Sequence, residues 1–149
     1  MTTASGQDIR LEMQRELPFS CERVFAALTE PDQLMQWMGP PGVTNLDAIV
    51  NLSVGGRYRI TMKGMNDGPV YVVSGEYREI MPPHRLRFSW KWEHSAPEEP
   101  AMEVTFDLSP NAAGCRISLT QTGFPSQEEC DRHTHGWNGS FERLSQLGD

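Results

Sequence analysis

From Ile9 to Leu17 the chain alternates without interruption, with Ile9, Leu11, Met13, Arg15 and Leu17 on one face and Arg10, Glu12, Gln14 and Glu16 on the other. A period of two marks a strand with one face buried. The period then changes. In PFSCERVFAALTEP, Val24, Phe25 and Leu28 form a stripe at helical spacing, Ser20 stands at the N-cap position, and Phe19 is placed to staple onto Val24. Pro31 suits the first turn of a second short helix that carries Leu34 and Trp37 and stops at GPPG. The segments VTNLDAIV, NLSVGGRYRITM, VYVVSGEYREIM, HRLRFSWKWE, AMEVTFDL and GCRISLTQT return to strand patterning. Gly55-Gly56 predicts a turn or bulge ahead of the alternating Tyr58, Ile60 and Met62. Asp67-Gly68 is the turn signal of the loop KGMNDGP, and Gly75 predicts a break in its strand, by a bulge. Leu86, Phe88, Trp90 and Trp92 share one face; so do Met102, Val104, Phe106 and Leu108, and Ile117 with Leu119. Six closely spaced strands joined by short turns favour an antiparallel meander over a parallel sheet.

The last element is helical. Ser126, three residues before Glu129 and directly after Pro125, forms a capping box, and the helix is expected to run to about Leu147 with Gly148 as its stop. Cys130, Thr134, Trp137, Phe141 and Leu144 fall on one stripe. His133 flanks that stripe, whereas His135 points roughly 200° from it, so the two diverge too far to share a metal ion. Gly136 and Gly139 each weaken a helix interior by about 1 kcal/mol relative to Ala. They fit either a tolerated weak turn or a bend where the helix lies close across a sheet.

Composition narrows the class. The 149 residues are the length of one domain, read here as 1–149 with residues 1–8 as a flexible N-terminus. Thirteen basic residues against twenty acidic ones give a net charge of −7, with no opposing Lys/Arg cluster. That balance excludes a nucleic-acid backbone and disfavours an anionic membrane surface. No apolar run approaches the ~20 residues that span a bilayer. The start, MTTASGQDIR, lacks the basic and apolar regions of a secretory signal. Cys21, Cys115 and Cys130 are scattered and odd in number, which reads as reduced thiols in a cytoplasmic protein.

Four segments in order, FSCERVFAALTEPDQLMQWMGPPG, VGGRYRITMKG, GEYREIMPPHRLRFSW and LTQTGFPS…HGWNGSFERLSQL, span nearly the whole chain. In sequence and spacing they resemble the bacterial homologues of the activator of heat-shock protein 90 ATPase, within the SRPBCC superfamily, also called START-like or Bet v 1-like. The resemblance implies an α+β helix-grip fold: a curved antiparallel sheet of about seven strands around a long C-terminal helix, two short helices after the first strand, and a cavity between sheet and helix. Trp137 and Phe141 would face the sheet across that cavity. The family's pattern has an acidic residue shortly before the Gly-Gly turn; here Asn51 stands near that place.

Arg15 lies in the apolar phase of the first strand, so it needs a carboxylate partner, a polar ligand such as a ligand carboxylate, or an escape to water. Glu76, in phase with Val72 and Ile80, is the candidate internal partner. Trp37, Trp90 and Trp92 are core residues or cavity lining, and His133 either sits at the cavity rim or bonds to backbone. Met13, Met35, Met38, Met62 and Met65 could supply an adaptable lining or fill gaps in the core. With Trp137 and Phe141 these make the candidate ligand-binding set Arg15, Trp37, Glu76, Trp90, Trp92, His133, Trp137 and Phe141. Cys130, among Glu128, Glu129 and Asp131, is expected to be unreactive. No nucleophile triad, GxSxG motif, phosphate loop or cofactor fingerprint is present, so neither catalytic residues nor a cofactor nor a metal is expected. The leading expectation is a binding module for a small apolar or amphipathic molecule. A cyclase- or aromatase-like enzyme using the same cavity comes second. A chaperone-ATPase regulator comes third, because the eukaryotic activators carry an additional N-terminal domain. A homodimer is left open.

Overall fold

In the computed structural model, residues 9–39, 42–64 and 68–148 are described. The N-terminal residues 1–8, Met65, the two prolines of GPPG and Asp67 of the Asp67-Gly68 turn lie outside them. The alternating segments become one antiparallel sheet of seven strands: β1 (Arg10–Leu17), β2 (Thr44–Val50), β3 (Arg57–Lys63), β4 (Val70–Met81), β5 (Arg85–Trp92), β6 (Met102–Pro110) and β7 (Cys115–Thr122). Strands β2 to β7 form a meander, and β1 joins its far end by pairing with β7, giving the order β1-β7-β6-β5-β4-β3-β2. The helices α1 (Cys21–Thr29) and α2 (Pro31–Trp37) follow β1, and α3 (Gln127–Leu144) closes the chain. This is the helix-grip arrangement that the resemblance implies.

Local chemistry sets the helix ends. Ser20 Oγ accepts from the Arg23 amide at 3.1 Å and Ser126 Oγ from the Glu129 amide at 3.1 Å, so both expected N-caps are made. The helix α3 stops earlier than the stripe suggests, at Leu144 rather than Leu147. Its last turn tightens instead of continuing: the amides of Gln146 and Leu147 reach back only three residues, to the carbonyls of Arg143 and Leu144, before Gly148 turns the chain at φ +83°. The strand β4 also differs from its expected form. It runs unbroken through Gly75, and its register shift with β5 falls between Tyr77 and Glu79. Gly75 serves a close approach: a Cβ there would run into the Ser89 carbonyl, which accepts from the buried Tyr58 hydroxyl at 2.7 Å.

The inward faces of β5, β6 and β7 supply Leu86, Phe88, Val104, Phe106, Ile117 and Leu119, all buried under the helices. The helix α3 lays its stripe on them, with Phe141 and Leu144 essentially inaccessible. Phe106, Trp137 and Phe141 meet with ring centroids 5.6 to 6.3 Å apart. The outward face carries interleaved ion pairs, including Arg85 with Asp107 at 2.8 Å, Arg59 with Glu93 at 2.9 Å and Arg78 with Glu103 at 3.2 Å.

Candidate functional site

Sheet and helix do not close everywhere. Between the first half of α3 and the end of the sheet formed by β3, β4 and β5 lies an open pocket of about 910 Å³. Its sheet wall is Trp90 and Trp92 on β5, Tyr71 on β4 and Met62 on β3, with His94 just beyond β5. The helix wall is His133, Gly136, Trp137 and Ser140, and Met38, Gly39 and Val43 close the side next to α2. Apart from Trp137 the helix contributes little side-chain volume here, because its other positions facing the gap carry glycine, serine and histidine. The sheet wall is aromatic. Trp90 lies 5.5 Å from both Trp92 and Trp137 between ring centroids, and Tyr71, Trp92 and His94 form a second cluster with centroids 5.8 to 6.3 Å apart. Size and lining match the small-molecule pockets of proteins in general.

Polar groups in the walls are few, and most are fixed. Ser140 donates to the Gly39 carbonyl at 2.9 Å, and the Arg143 guanidinium donates to the same carbonyl, tying α3 to the segment after α2. His133 is buried, and its Nδ1 lies 3.1 Å from the Glu129 carbonyl, which can only accept. Nδ1 therefore carries the proton, and Nε2 accepts from the Trp92 indole N–H at 3.3 Å. Burial holds the imidazole below its usual pKa, against the opposing pull of the Glu129 carbonyl and carboxylate. Trp137 donates to Gln121 Oε1 at 2.8 Å. The Trp90 indole N–H is buried and has no hydrogen-bond partner among the described residues. At the mouth stand Glu128, Glu129, Asp131, Arg132 and the exposed His135.

Of the eight residues singled out in the sequence, the structure brings Trp90, Trp92, His133 and Trp137 together around this pocket. The other four are elsewhere. Trp37 is inaccessible in the core and donates to the Ala27 carbonyl at 2.8 Å, a link between the two short helices. Phe141 is equally buried, one turn beyond the pocket, where Phe106 fills the space beside it. Arg15 keeps the inward phase of β1 but lies outside the pocket. Its guanidinium donates to the Asn138 side-chain carbonyl and, at 2.9 Å, to the Gln14 carbonyl, so it escapes at the sheet edge. Glu76 is not its partner: Val73, Gly75 and Tyr77 are the buried set of β4, which turns Glu76 outward, 3.5 Å from Arg78.

Gln121 was the residue missed. It is a fully buried amide that orients a pocket tryptophan. Two signals could have found it: it continues the inward phase of Ile117 and Leu119, and a buried Trp137 needs an acceptor. Cys115 and Cys130 are both buried, and burial raises both thiol pKa values, so neither presents a thiolate. Among the described residues, no group of three or more His, Cys, Asp or Glu side chains is placed to hold a metal ion. Nor is any helix among them long and apolar enough to cross a membrane.

Comparison with known proteins agrees with this architecture. Protein CV1439 from Chromobacterium violaceum superimposes with a TM-score of 0.84 at 26% identity, over 93% of this chain and 96% of that one. The AHSA1 protein SPO3351 from Silicibacter pomeroyi gives 0.82 at 26%, again over 93% and 96%. NE0264 from Nitrosomonas europaea gives 0.81 at 25%, over 93% of each chain. No functionally curated protein matches significantly. The sequence profile described as "Activator of Hsp90 ATPase homolog 1-like protein" matches residues 18–149. The chain belongs to that family of Activator of Hsp90 ATPase homolog 1-like proteins.

Proposed function

We propose that the protein is a single-domain, cytoplasmic binding module that holds a small, mostly apolar molecule between the sheet and the first half of α3. The observation that carries this is the aromatic-walled pocket of about 910 Å³. Close packing is the rule in protein interiors, and open space lined by three tryptophans forgoes contacts that a bound molecule would restore. Trp90, Trp92, His133 and Trp137 are the proposed contact residues, with Met62 and Tyr71 added from the geometry.

An enzymatic reading draws on the same pocket, but its best proton-transfer group is already engaged. His133 has one nitrogen on the Glu129 carbonyl and the other under the Trp92 indole. Regulation of a chaperone ATPase, the role in the family's name, is the third reading, and the pocket gives it no support.

The test is native mass spectrometry of protein purified under mild conditions, followed by titration with the neutral probe N-phenyl-1-naphthylamine. A co-purifying mass that leaves on denaturation, or saturable one-to-one probe binding weakened in Trp92→Ala, supports the reading. No added mass together with no saturable binding would overturn it.

A further inference from the structure

We infer that the molecule this pocket takes is an organic cation: an apolar body held between the tryptophans, with an ammonium-type charge at the mouth. This rests on the binding reading above and adds the chemical class. The charged side chains that line the pocket are Glu128, Glu129, Asp131 and Arg132, three carboxylates against one guanidinium. The guanidinium is already met, by Glu128 at 3.5 Å and by Glu129. Asp131 accepts at 2.9 Å from the neutral Gln127 amide and has no cationic partner among the described residues. An entering carboxylate would therefore meet net negative charge. Arg15, the cation the sequence offered for such a ligand, is engaged at the sheet edge instead. The positive end of the α3 dipole lies at the same mouth, but Glu128 and Glu129 occupy its first turn and answer it.

The aromatic groups point the same way. Tyr71, Trp92 and His94 cluster beside the mouth, and the faces of tyrosine and tryptophan rings attract a positive charge. Independent of any charge, the 4%-exposed Trp90, which lines the same pocket, holds a buried indole N–H that has no partner among the described residues. The nitrogen is closed off from the open pocket, so an acceptor on the bound molecule would complete it where the neighbouring rings shift to admit it.

Three matched probes test this by calorimetric titration at pH 7.5 and low salt: (2-naphthylmethyl)trimethylammonium, its neutral carbon isostere 2-neopentylnaphthalene, and 2-naphthylacetate. The cation is expected to bind about three- to tenfold tighter than the isostere and more tightly still than the acid. Its advantage should shrink at high salt. It should also fall in the doubly substituted Glu128→Gln, Asp131→Asn protein, whose exposed helix positions leave the core untouched and whose isostere affinity should stay constant. Equal or tighter binding of the acid overturns the inference, as does a cation preference unchanged in the double variant. If the isostere binds and the cation does not, this inference fails while the pocket reading stands. If none of the three binds, this inference fails, and with no co-purifying mass and no other saturable binding the pocket reading fails as well.

Discussion

The hydrogen bond between Trp137 and Gln121 shapes the pocket, and its strength can be worked out in advance. Gln121 is inaccessible, with Leu11 and Val104 as its cross-strand neighbours, and its Oε1 accepts the Trp137 indole proton at 2.8 Å. Among the described residues its Nε2 has only the Met102 sulfur at 3.5 Å, a weak acceptor. Gln121→Leu keeps the volume, loses little on the amide side, and strands the indole N–H. A buried donor left unpaired costs about 1–3 kcal/mol. Trp137→Phe strands the Gln121 oxygen at similar cost and adds a packing loss of about 1–3 kcal/mol from the missing ring atoms. With both replaced, no polar group is stranded. The double variant should therefore be less destabilised than the two singles together by both stranding costs, about 2–6 kcal/mol. Urea melts followed by far-UV circular dichroism give the four free energies, with unchanged slopes confirming that the same surface unfolds. Additivity within about 0.5 kcal/mol would refute the reasoning, since independent sites behave that way. Gln121→Leu should also loosen probe binding, because the indole it orients forms a pocket wall.

Three further outcomes are expected. His133 is neutral in the folded protein with its pKa below the usual value, so the unfolded chain takes up a proton first as pH falls. Stability should be full above about pH 6.5 and decline as pH drops from there through the folded pKa; His133→Gln should lack that decline, and equal slopes in both proteins would count against it. Arg15→Met removes a half-exposed guanidinium bonded to an amide and a carbonyl, so it should shift stability by less than about 1 kcal/mol and leave probe affinity unchanged; a larger loss in urea would mean that the strand edge depends on it. All three cysteines are buried, so a thiol reagent should label none of them quickly in the native protein and all three after unfolding; fast labelling of the folded state would contradict their placement.

The fold was legible because each element carries its own periodicity and punctuation. Ser20 and Ser126 announced their helices, and the inward phase of β5 and β6 could be read residue by residue. The phase of β4 could not. Valines at 72 and 73 put apolar residues on both faces, and the register shift after Tyr77 takes Ile80 out of the simple alternation that seemed to include Glu76. For Arg15 the phase was right, but a long flexible side chain at an edge strand has an exit that alternation does not encode. The division of the aromatic residues into core and pocket was the least legible part. A helical stripe states which side of α3 meets the sheet, and Trp137 and Phe141 both lie on it. It does not state where along the stripe the facing surfaces separate.

That separation follows from volumes on the two sides. At the far end α3 offers Phe141 and Leu144, and the sheet answers with Phe106, so the space fills. At the near end the helix offers Gly136 and Ser140, while the sheet keeps Trp90 and Trp92 propped against His133 and Trp137 instead of letting them collapse inward. Each of the three rings best placed to move has its polar atom tied down: Trp92 to His133, His133 to Glu129, Trp137 to Gln121. Collapse of the pocket would break these bonds and bury unpaired donors, at about 1–3 kcal/mol each. The glycine and serine positions of α3 create the gap, and the hydrogen bonds behind the aromatic rings keep it open. One of the two helix glycines thus acquires a role: Gly136 withholds side-chain volume at the place where a guest molecule would sit.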